Sequence, residues 1–181
     1  MPEPIKLIVI GAGPGGYTAA FLAADLGMQV TLIDKELNPG GICVYRGCIP
    51  SKALLHAAKV LNEAHEVENI GINFPKPNVD IDKLRAWKNS VVERLTSGTG
   101  QLRKQRKIAY IQGFARFLDS ATLQVDGIDG KVQKISFDKV IIATGSRPAV
   151  IPTLPKSEHI WDSTSALDLT TIPEKIGRAH V

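Results

Sequence analysis

The chain has 181 residues, 44% of them hydrophobic and 22% charged, a formal net charge of +4 and two cysteines. That suffices for the core of one domain and little more, and the charge is too mild to point to a nucleic-acid partner. The longest apolar runs, such as Leu7 to Ile10 and Val140 to Ala143, are far too short to span a bilayer, so a cytoplasmic protein with no membrane partner is expected.

Leu7-Ile8-Val9-Ile10 predicts a short buried strand, which runs through Gly11-Ala12-Gly13-Pro14-Gly15-Gly16 directly into a helix. Each glycine of this Gly-x-Gly-x-x-Gly order serves a separate purpose. Gly11 permits a tight turn, Gly13 lets the backbone approach a pyrophosphate, and Gly16 lets helix and strand pack closely. Phosphates then lie on the helix N-terminus. Ala19, Ala20, Ala23 and Ala24 give the helix small faces, Gly27 ends it, and Gln29-Val30-Thr31-Leu32-Ile33 supplies a second strand. Asp34 closes that strand, where its carboxylate can accept hydrogen bonds from ribose hydroxyls. A bare glycine turn needs none of these companions, so their order predicts a dinucleotide site. The motif does not separate FAD from NAD.

Both cysteines follow at once, in Gly40-Gly41-Ile42-Cys43-Val44-Tyr45-Arg46-Gly47-Cys48-Ile49-Pro50-Ser51-Lys52. Four intervening residues can loop back or form one helical turn, which brings Cα atoms within the roughly 4.4–6.8 Å that a disulfide needs. Pro50 and the helix formers after it predict a helix starting near Cys48, and its N-terminus with Lys52 nearby would lower a thiol pKa from about 8.5 toward roughly 3.5–7.5. A redox disulfide beside a nucleotide is the chemistry this favours, and it favours a flavin, which exchanges electrons with both dithiols and nicotinamides. Three other readings compete. Two buried thiols fit poorly with Gly40, Gly41 and Gly47 around them. A stapling disulfide lacks a signal peptide before it. A zinc site with His56 and His65 would draw ligands from opposite faces of one helix.

Asn73-Phe74-Pro75-Lys76-Pro77-Asn78 cannot continue a helix, and a second long helix is predicted from Asp80 through Arg103 on the spacing of Ile81, Leu84, Val91, Val92, Leu95 and Leu102. Trp87 on it reads as packing rather than a flavin stack. The cluster Arg103-Lys104-Gln105-Arg106-Lys107 at its end reads as a solvated face. Strands are predicted at Ile108–Gln112, Thr122–Val125 and Val132–Phe137, the last two joined as a hairpin across Asp126-Gly127-Ile128-Asp129-Gly130, and a buried strand at Val140-Ile141-Ile142-Ala143-Thr144-Gly145 closes the pattern. The expected fold is α/β: a Rossmann-like parallel sheet with an inserted antiparallel hairpin or meander.

Gly-Ala-Gly-Pro-Gly-Gly, then Gly-Gly-x-Cys-x4-Cys-Ile-Pro-Ser-Lys, then Ile-Ile-Ala-Thr-Gly-Ser-Arg-Pro resemble the FAD-binding part of the pyridine nucleotide-disulfide oxidoreductases. Within that family, Ala53-Leu54-Leu55-His56 and Ile160-Trp161-Asp162-Ser163-Thr164 are most similar to the bacterial dihydrolipoyl-oxidising enzymes. The resemblance implies that Cys43 exchanges with a dihydrolipoyl dithiol while Cys48 faces the flavin, with electrons passing to FAD and on to NAD. It implies that Lys52 sits near the flavin ring, that Asp34, Lys35 and Gly41 belong to the segment wrapping adenosine and pyrophosphate, that Gly113 meets the adenosine portion by its backbone, and that Thr144, Gly145 and Ser146 line the cofactor. Implied partners are the lipoyl domains of 2-oxo acid dehydrogenase complexes and a second copy in a homodimer. Glutathione or mercuric reductase-type enzymes, or an inert FAD-binding module, are the alternatives.

Two departures stand out. Between the cysteines the family usually shows Leu-Asn-x-Gly, where this chain has Val44-Tyr45-Arg46-Gly47; Arg46 is a cation placed to tune the thiolates. The second is at the end, where the family continues into an NAD-binding domain and an interface domain. The expectation is therefore an incomplete FAD-binding domain over 1–176, truncated before the NAD-binding domain, with 177–181 a tail outside the family pattern. None of His56, His65, His159 or His180 matches the family's catalytic histidine.

Overall fold

In a computed structural model, which describes residues 3–155 and 157–177, strand β1 (Lys6–Ile10) passes through the glycine turn into helix α1 (Pro14–Asp25) and returns as β2 (Gln29–Asp34). The two strands pair in parallel, Leu7 opposite Val30 and Val9 opposite Leu32. Side chains alternate across a strand, so Leu7, Val9, Val30 and Leu32 share one face, where they pack with Ala20 and Ala23 of α1 and with Ile108. Ile8 and Ile33 take the other face, against Leu123, Val125 and Phe137. A parallel sheet covered on both faces needs strands apolar on both, as the unbroken run at β1 shows.

The long connection to the next strand is helical. It comprises α2 (Gly41–Arg46), α3 (Cys48–Glu66), a 3₁₀ turn (Val67–Ile70) and α4 (Ile81–Gln105). Asp80 caps α4 by accepting a hydrogen bond from the Lys83 amide at 3.0 Å. The basic cluster at its other end is solvated at Lys104, Gln105 and Lys107, as expected, but not at its two arginines. Arg106 pairs with Asp25 at 3.1 Å and lies 5.0 Å from the Phe21 ring centre, while Arg103 lies 5.1 Å from that of Tyr110 and donates to the Ile108 carbonyl. The planar guanidinium stacks on rings as well as pairing with carboxylates, so the cluster ties α4 to α1 and to the sheet.

Strand β3 (Ala109–Phe117) runs parallel to β2 as far as Gln112 opposite Asp34, then turns to pair antiparallel with β4 (Thr122–Gly127), which pairs with β5 (Val132–Ser136). β6 (Lys139–Ile142) returns parallel to β1 on its other side, giving one sheet of order β5-β4-β3-β2-β1-β6; the strand stops short of the predicted Gly145 and, at the sheet edge, is half-buried to exposed rather than buried. The predicted parallel sheet with an antiparallel insertion is what forms, and the β4–β5 hairpin turns at the predicted glycines, Gly130 with φ +81°. A further difference is at β3, which runs on past its predicted end at Gln112. Gly113 lets it continue: a Cβ there would lie 2.5 Å from the Asp126 carbonyl oxygen, so only glycine allows β4 to close in where β3 changes partners.

A further helix, α5 (Ser163–Asp168), has no counterpart among the predicted elements. Asp162 and Ser165 cap it reciprocally, and it docks on α4, where Lys88 Nζ donates to the Leu167 carbonyl at 2.7 Å and Arg85 to that of Leu169 at 3.2 Å. Among the described residues, no helix is long and apolar enough to cross a membrane. The expected tail, apart from Gly177, lies outside the described residues.

Candidate active site

β1 has β2 on one side and β6 on the other, all three parallel, so their carboxyl ends share one edge of the sheet. The glycine loop lies at that edge, where open α/β sheets bind their ligands. Gly11 adopts φ +98°, donates to the Ile33 carbonyl at 2.8 Å, and has no room for a Cβ, which would strike the Ala143 carbonyl. The Ala143 amide in turn donates to the Ile10 carbonyl at 2.8 Å, so Thr144, Gly145 and Ser146, all exposed, follow β6 out of the sheet beside the loop. Gly16 is buried, and a Cβ there would strike the Gly11 carbonyl.

Gly13 is different in kind. Its backbone is extended, with φ −70° and ψ −179°, and the nearest heavy atom to an added Cβ is Gly41 Cα at 3.9 Å. Neither conformation nor internal packing requires glycine here, whereas a group lying against the bare backbone would. The residues around it suit an anion. Helix α1 starts at Pro14 with no side-chain cap on its first turn, and α2 starts at Gly41 likewise uncapped, its Cα pressed onto Gly13. Backbone donors at two helix N-termini therefore meet over a floor without side chains, as a pyrophosphate needs.

Asp34, read from sequence as a ribose acceptor, shapes the loop itself. One carboxylate oxygen accepts from the Ala12 amide at 2.6 Å and the other from the Glu36 amide at 3.0 Å. A carboxylate has about four acceptor sites, so each oxygen keeps capacity for a hydroxyl. Lys35 beside it is exposed, and Gly113 is buried one register step from the Asp34–Gln112 pair, where its role in the sheet already accounts for it.

Cys43 sits half-buried in α2 and Cys48 exposed at the first position of α3, both as thiols. Gly47 alone separates the helices; a Cβ there would lie 3.0 Å from the Ile42 carbonyl oxygen and 3.3 Å from Cys43 Cα, so glycine lets the chain fold back and set one sulfur against the other. The Cys43 thiol is pushed above its ordinary value, first by its hydrogen bond with Cys48 and then by burial, against a smaller pull from Lys52. The lowering expected at the α3 N-terminus concerns Cys48 and does not extend to Cys43, where a thiol partner and partial burial favour the proton more than one exposed lysine opposes it. Nor does Arg46 tune the thiols as expected. Its guanidinium pairs with Glu36 at 2.7 Å, and the Tyr45 hydroxyl bonds the backbone of Asn38 at 3.1 and 3.2 Å. Among the described residues, no cluster of three or more His, Cys, Asp or Glu forms a metal site, and His56 lies instead against Trp87 at 6.4 Å between ring centres.

Sequence reasoning missed the residues that hold the loop between Asp34 and α2. Thr99 donates to the Pro39 carbonyl at 2.5 Å, Tyr110 to that of Glu36 at 2.9 Å, and the Gly40 amide to that of Ala12 at 2.8 Å. These partners are far apart in the chain and carry no local motif.

The family model of pyridine nucleotide-disulphide oxidoreductases matches residues 5–178. The chain belongs to that family. Family members among its relatives include the dihydrolipoyl dehydrogenase of Vibrio cholerae, 46% identical over 97% of this chain and 38% of the relative, and that of Buchnera aphidicola from Acyrthosiphon pisum, 48% identical over 93% and 36%. Of solved structures, LpdA from Mycobacterium tuberculosis shares the fold with a TM-score of 0.84 at 24% identity, over 94% of this chain and 38% of that one. The flavoprotein disulfide reductase RclA from Escherichia coli matches with a TM-score of 0.71 at 28% identity, over 91% and 34%. The chain thus spans well under half the length of the relatives it matches.

Proposed function

We propose that these residues form the FAD-binding and redox-disulfide part of a dihydrolipoyl dehydrogenase. The observation that carries this is the side-chain-free floor at Gly13 and Gly41, with Cys43 in the helix that starts at Gly41 and Cys48 at the start of the next. Gly13, the N-terminus of α1 and Asp34 would hold the pyrophosphate and ribose; Lys35, Gly113, Thr144, Gly145 and Ser146 would border the cofactor, and Lys52 would lie near its ring. FAD, when bound, supplies a two-electron acceptor that NAD can later discharge.

The chain's own chemistry is thiol–disulfide exchange. A dihydrolipoyl thiolate attacks the Cys43 sulfur of a Cys43–Cys48 disulfide, forming a mixed disulfide and releasing Cys48 as thiolate. The second dihydrolipoyl thiol then displaces Cys43, which leaves the substrate as lipoyl disulfide and the protein as dithiol, two electrons richer. Taking Cys43 as the attacked sulfur and Cys48 as the leaving one follows the family's order of the two cysteines, and a half-buried Cys43 calls for an approach from outside by a mobile arm. A lipoyl domain of a 2-oxo acid dehydrogenase complex would bring that arm, and the complete protein would work as a homodimer. The test uses cofactor-loaded variants: Cys43→Ser keeps Cys48 as a thiolate beside oxidised flavin and gives a long-wavelength charge-transfer absorbance, and Cys48→Ser does not. Identical spectra would overturn the assignment of roles.

A further inference from the structure

Tyr45, which departs from the family pattern, and Arg46, at its variable position, are turned toward the loop after Asp34. Arg46 pairs with Glu36 at 2.7 Å, with side chains 34% and 17% exposed, so the pair is largely shielded from water. Glu36 also donates its amide to Asp34 and accepts from Tyr110 through its carbonyl, so its position is fixed at three points. Asp34 in turn accepts from the Ala12 amide of the glycine loop. Tyr45 closes a parallel path, its hydroxyl holding both the amide and the carbonyl of Asn38. On the other side, Tyr45 and Arg46 line a cavity of about 510 Å³ with Lys88 and Asp168, while Val44 between Cys43 and Tyr45 is buried, so α2 is held by one apolar anchor together with these bonds. Helix α2 has six residues and no side-chain cap at its start, too short to be stable without tertiary support.

We propose that Arg46 and Tyr45 are positioning residues that brace the Cys43 turn against the dinucleotide loop, so that the place of the Cys43 sulfur and the seating of the cofactor are mechanically linked through Glu36, Asn38 and Asp34. The brace rests on the reading of the site as a flavin and disulfide centre. Its physical content is nonetheless separate: α2 is held by a shielded, charge-assisted bond rather than by its own helical stability. Arginine suits this position because its planar fork loses little freedom on pairing, and a lysine at the same place would keep the charge without the fork.

The experiment uses the full chain in a Cys48→Ser background, so that alkylation reports Cys43 alone. In the absence of cofactor, Arg46→Met and Glu36→Gln should each speed alkylation of Cys43 by about 3- to 10-fold, the scale of one shielded ion pair. The double variant should be no faster than the faster single, since both remove one interaction. Arg46→Lys should recover part of the protection. Additive effects in the double variant, or alkylation at the parent rate in both singles, would overturn the brace. FAD titration of the same variants with Cys48 restored should show affinity weakened by a similar factor, with the same non-additivity; a purely structural role would lower melting temperature while leaving that coupling absent. If a complete protein containing these residues fails to bind FAD while the alkylation cycle behaves as stated, the flavin and disulfide reading falls and the bracing of Cys43 stands.

Discussion

Gly13, Gly15 and Gly16 occupy one turn, yet an added side chain meets different surroundings at each. At Gly16 a methyl group would strike the Gly11 carbonyl, so Gly16→Ala should destabilise the chain by about 1–3 kcal/mol, as overpacking does. At Gly15 nothing lies within 4 Å and the backbone is helical, so Gly15→Ala should be neutral or stabilise by up to about 1 kcal/mol. Gly13→Val should leave the melting temperature near that of the parent and abolish FAD incorporation, because its side chain points into the cradle alone. Denaturation curves and flavin stoichiometry for the three variants check this, and a folded Gly13→Val chain with full flavin would refute the cofactor site. Cys43 gives a prediction in pH. Its thiol is raised above 9.0, so between 9.0 and the folded value the native chain holds a proton that the unfolded chain has lost. The stability this contributes is whole below pH 9.0 and is lost as pH rises through the folded value. Alkylation of Cys43 in the reduced chain should therefore have its midpoint above 9.0, and Cys48→Ser should move it down, since the bond to Cys48 is the first cause of the shift. An unmoved midpoint would show that burial, not the partner thiol, holds the proton.

Among the elements, those whose cause is local are legible in the sequence. β1, α1 and β2 carry their apolar runs, small helix face and ending glycine within one contiguous stretch, and Asp80 announces α4 by its capping position. What is not legible depends on distant partners. The extension of β3 past Gln112 needs β4, and Phe114 and Phe117, both exposed, break the alternation that would have marked it. Arg103 and Arg106 read as solvated until α1 and Tyr110 come alongside. At the site, the glycine loop and cysteine pair are readable as motifs, whereas the ties of Glu36, Asn38 and Pro39 to α2, α4 and β3 are not. α5 has one available signal, Asp162 three residues before Ser165, too short to stand without its dock on α4. That helix depends on a carboxylate that acid removes. The Asp162 carboxylate accepts the Thr164 and Ser165 amides at 2.9 and 2.8 Å, which holds its pKa below the ordinary 3.8. A depressed carboxylate contributes above its unfolded value and ceases to as pH falls through the folded one. In a Trp87→Phe background, Trp161 emission should change below pH 3.8 before the core unfolds, and Asp162→Asn, which still caps, should remove that early change. An early acid change that persists in Asp162→Asn would place its origin elsewhere.

For the whole molecule, the arrangement of the sheet bears on what these residues do by themselves. β6 is an edge strand beside the cofactor crevice, with Ile142 64% exposed and, just beyond it, Val150 85% exposed. Unpaired strand edges and exposed apolar side chains favour association unless something covers them. The chain spans 38% of the Vibrio cholerae relative it matches, and one Gly-x-Gly-x-x-Gly order lies within its 181 residues, already assigned to the flavin. Exchange between dihydrolipoyl thiols and the Cys43–Cys48 pair also needs a base to take a thiol proton, a contribution commonly worth about 10²- to 10⁴-fold. The histidines at 56 and 65 lie exposed on α3, His56 against Trp87 and His65 against Glu68, and His159 is solvated beside Glu158. These residues produced alone should therefore bind FAD weakly, accept alkylation at both cysteines after reduction, and fail to turn over dihydrolipoamide with NAD. A steady-state assay with added FAD decides it. Turnover within about tenfold of a complete relative would mean that proton transfer and nicotinamide binding both arise from the segment described, and that the division of labour between Cys43, Cys48 and residues outside it has been drawn wrongly.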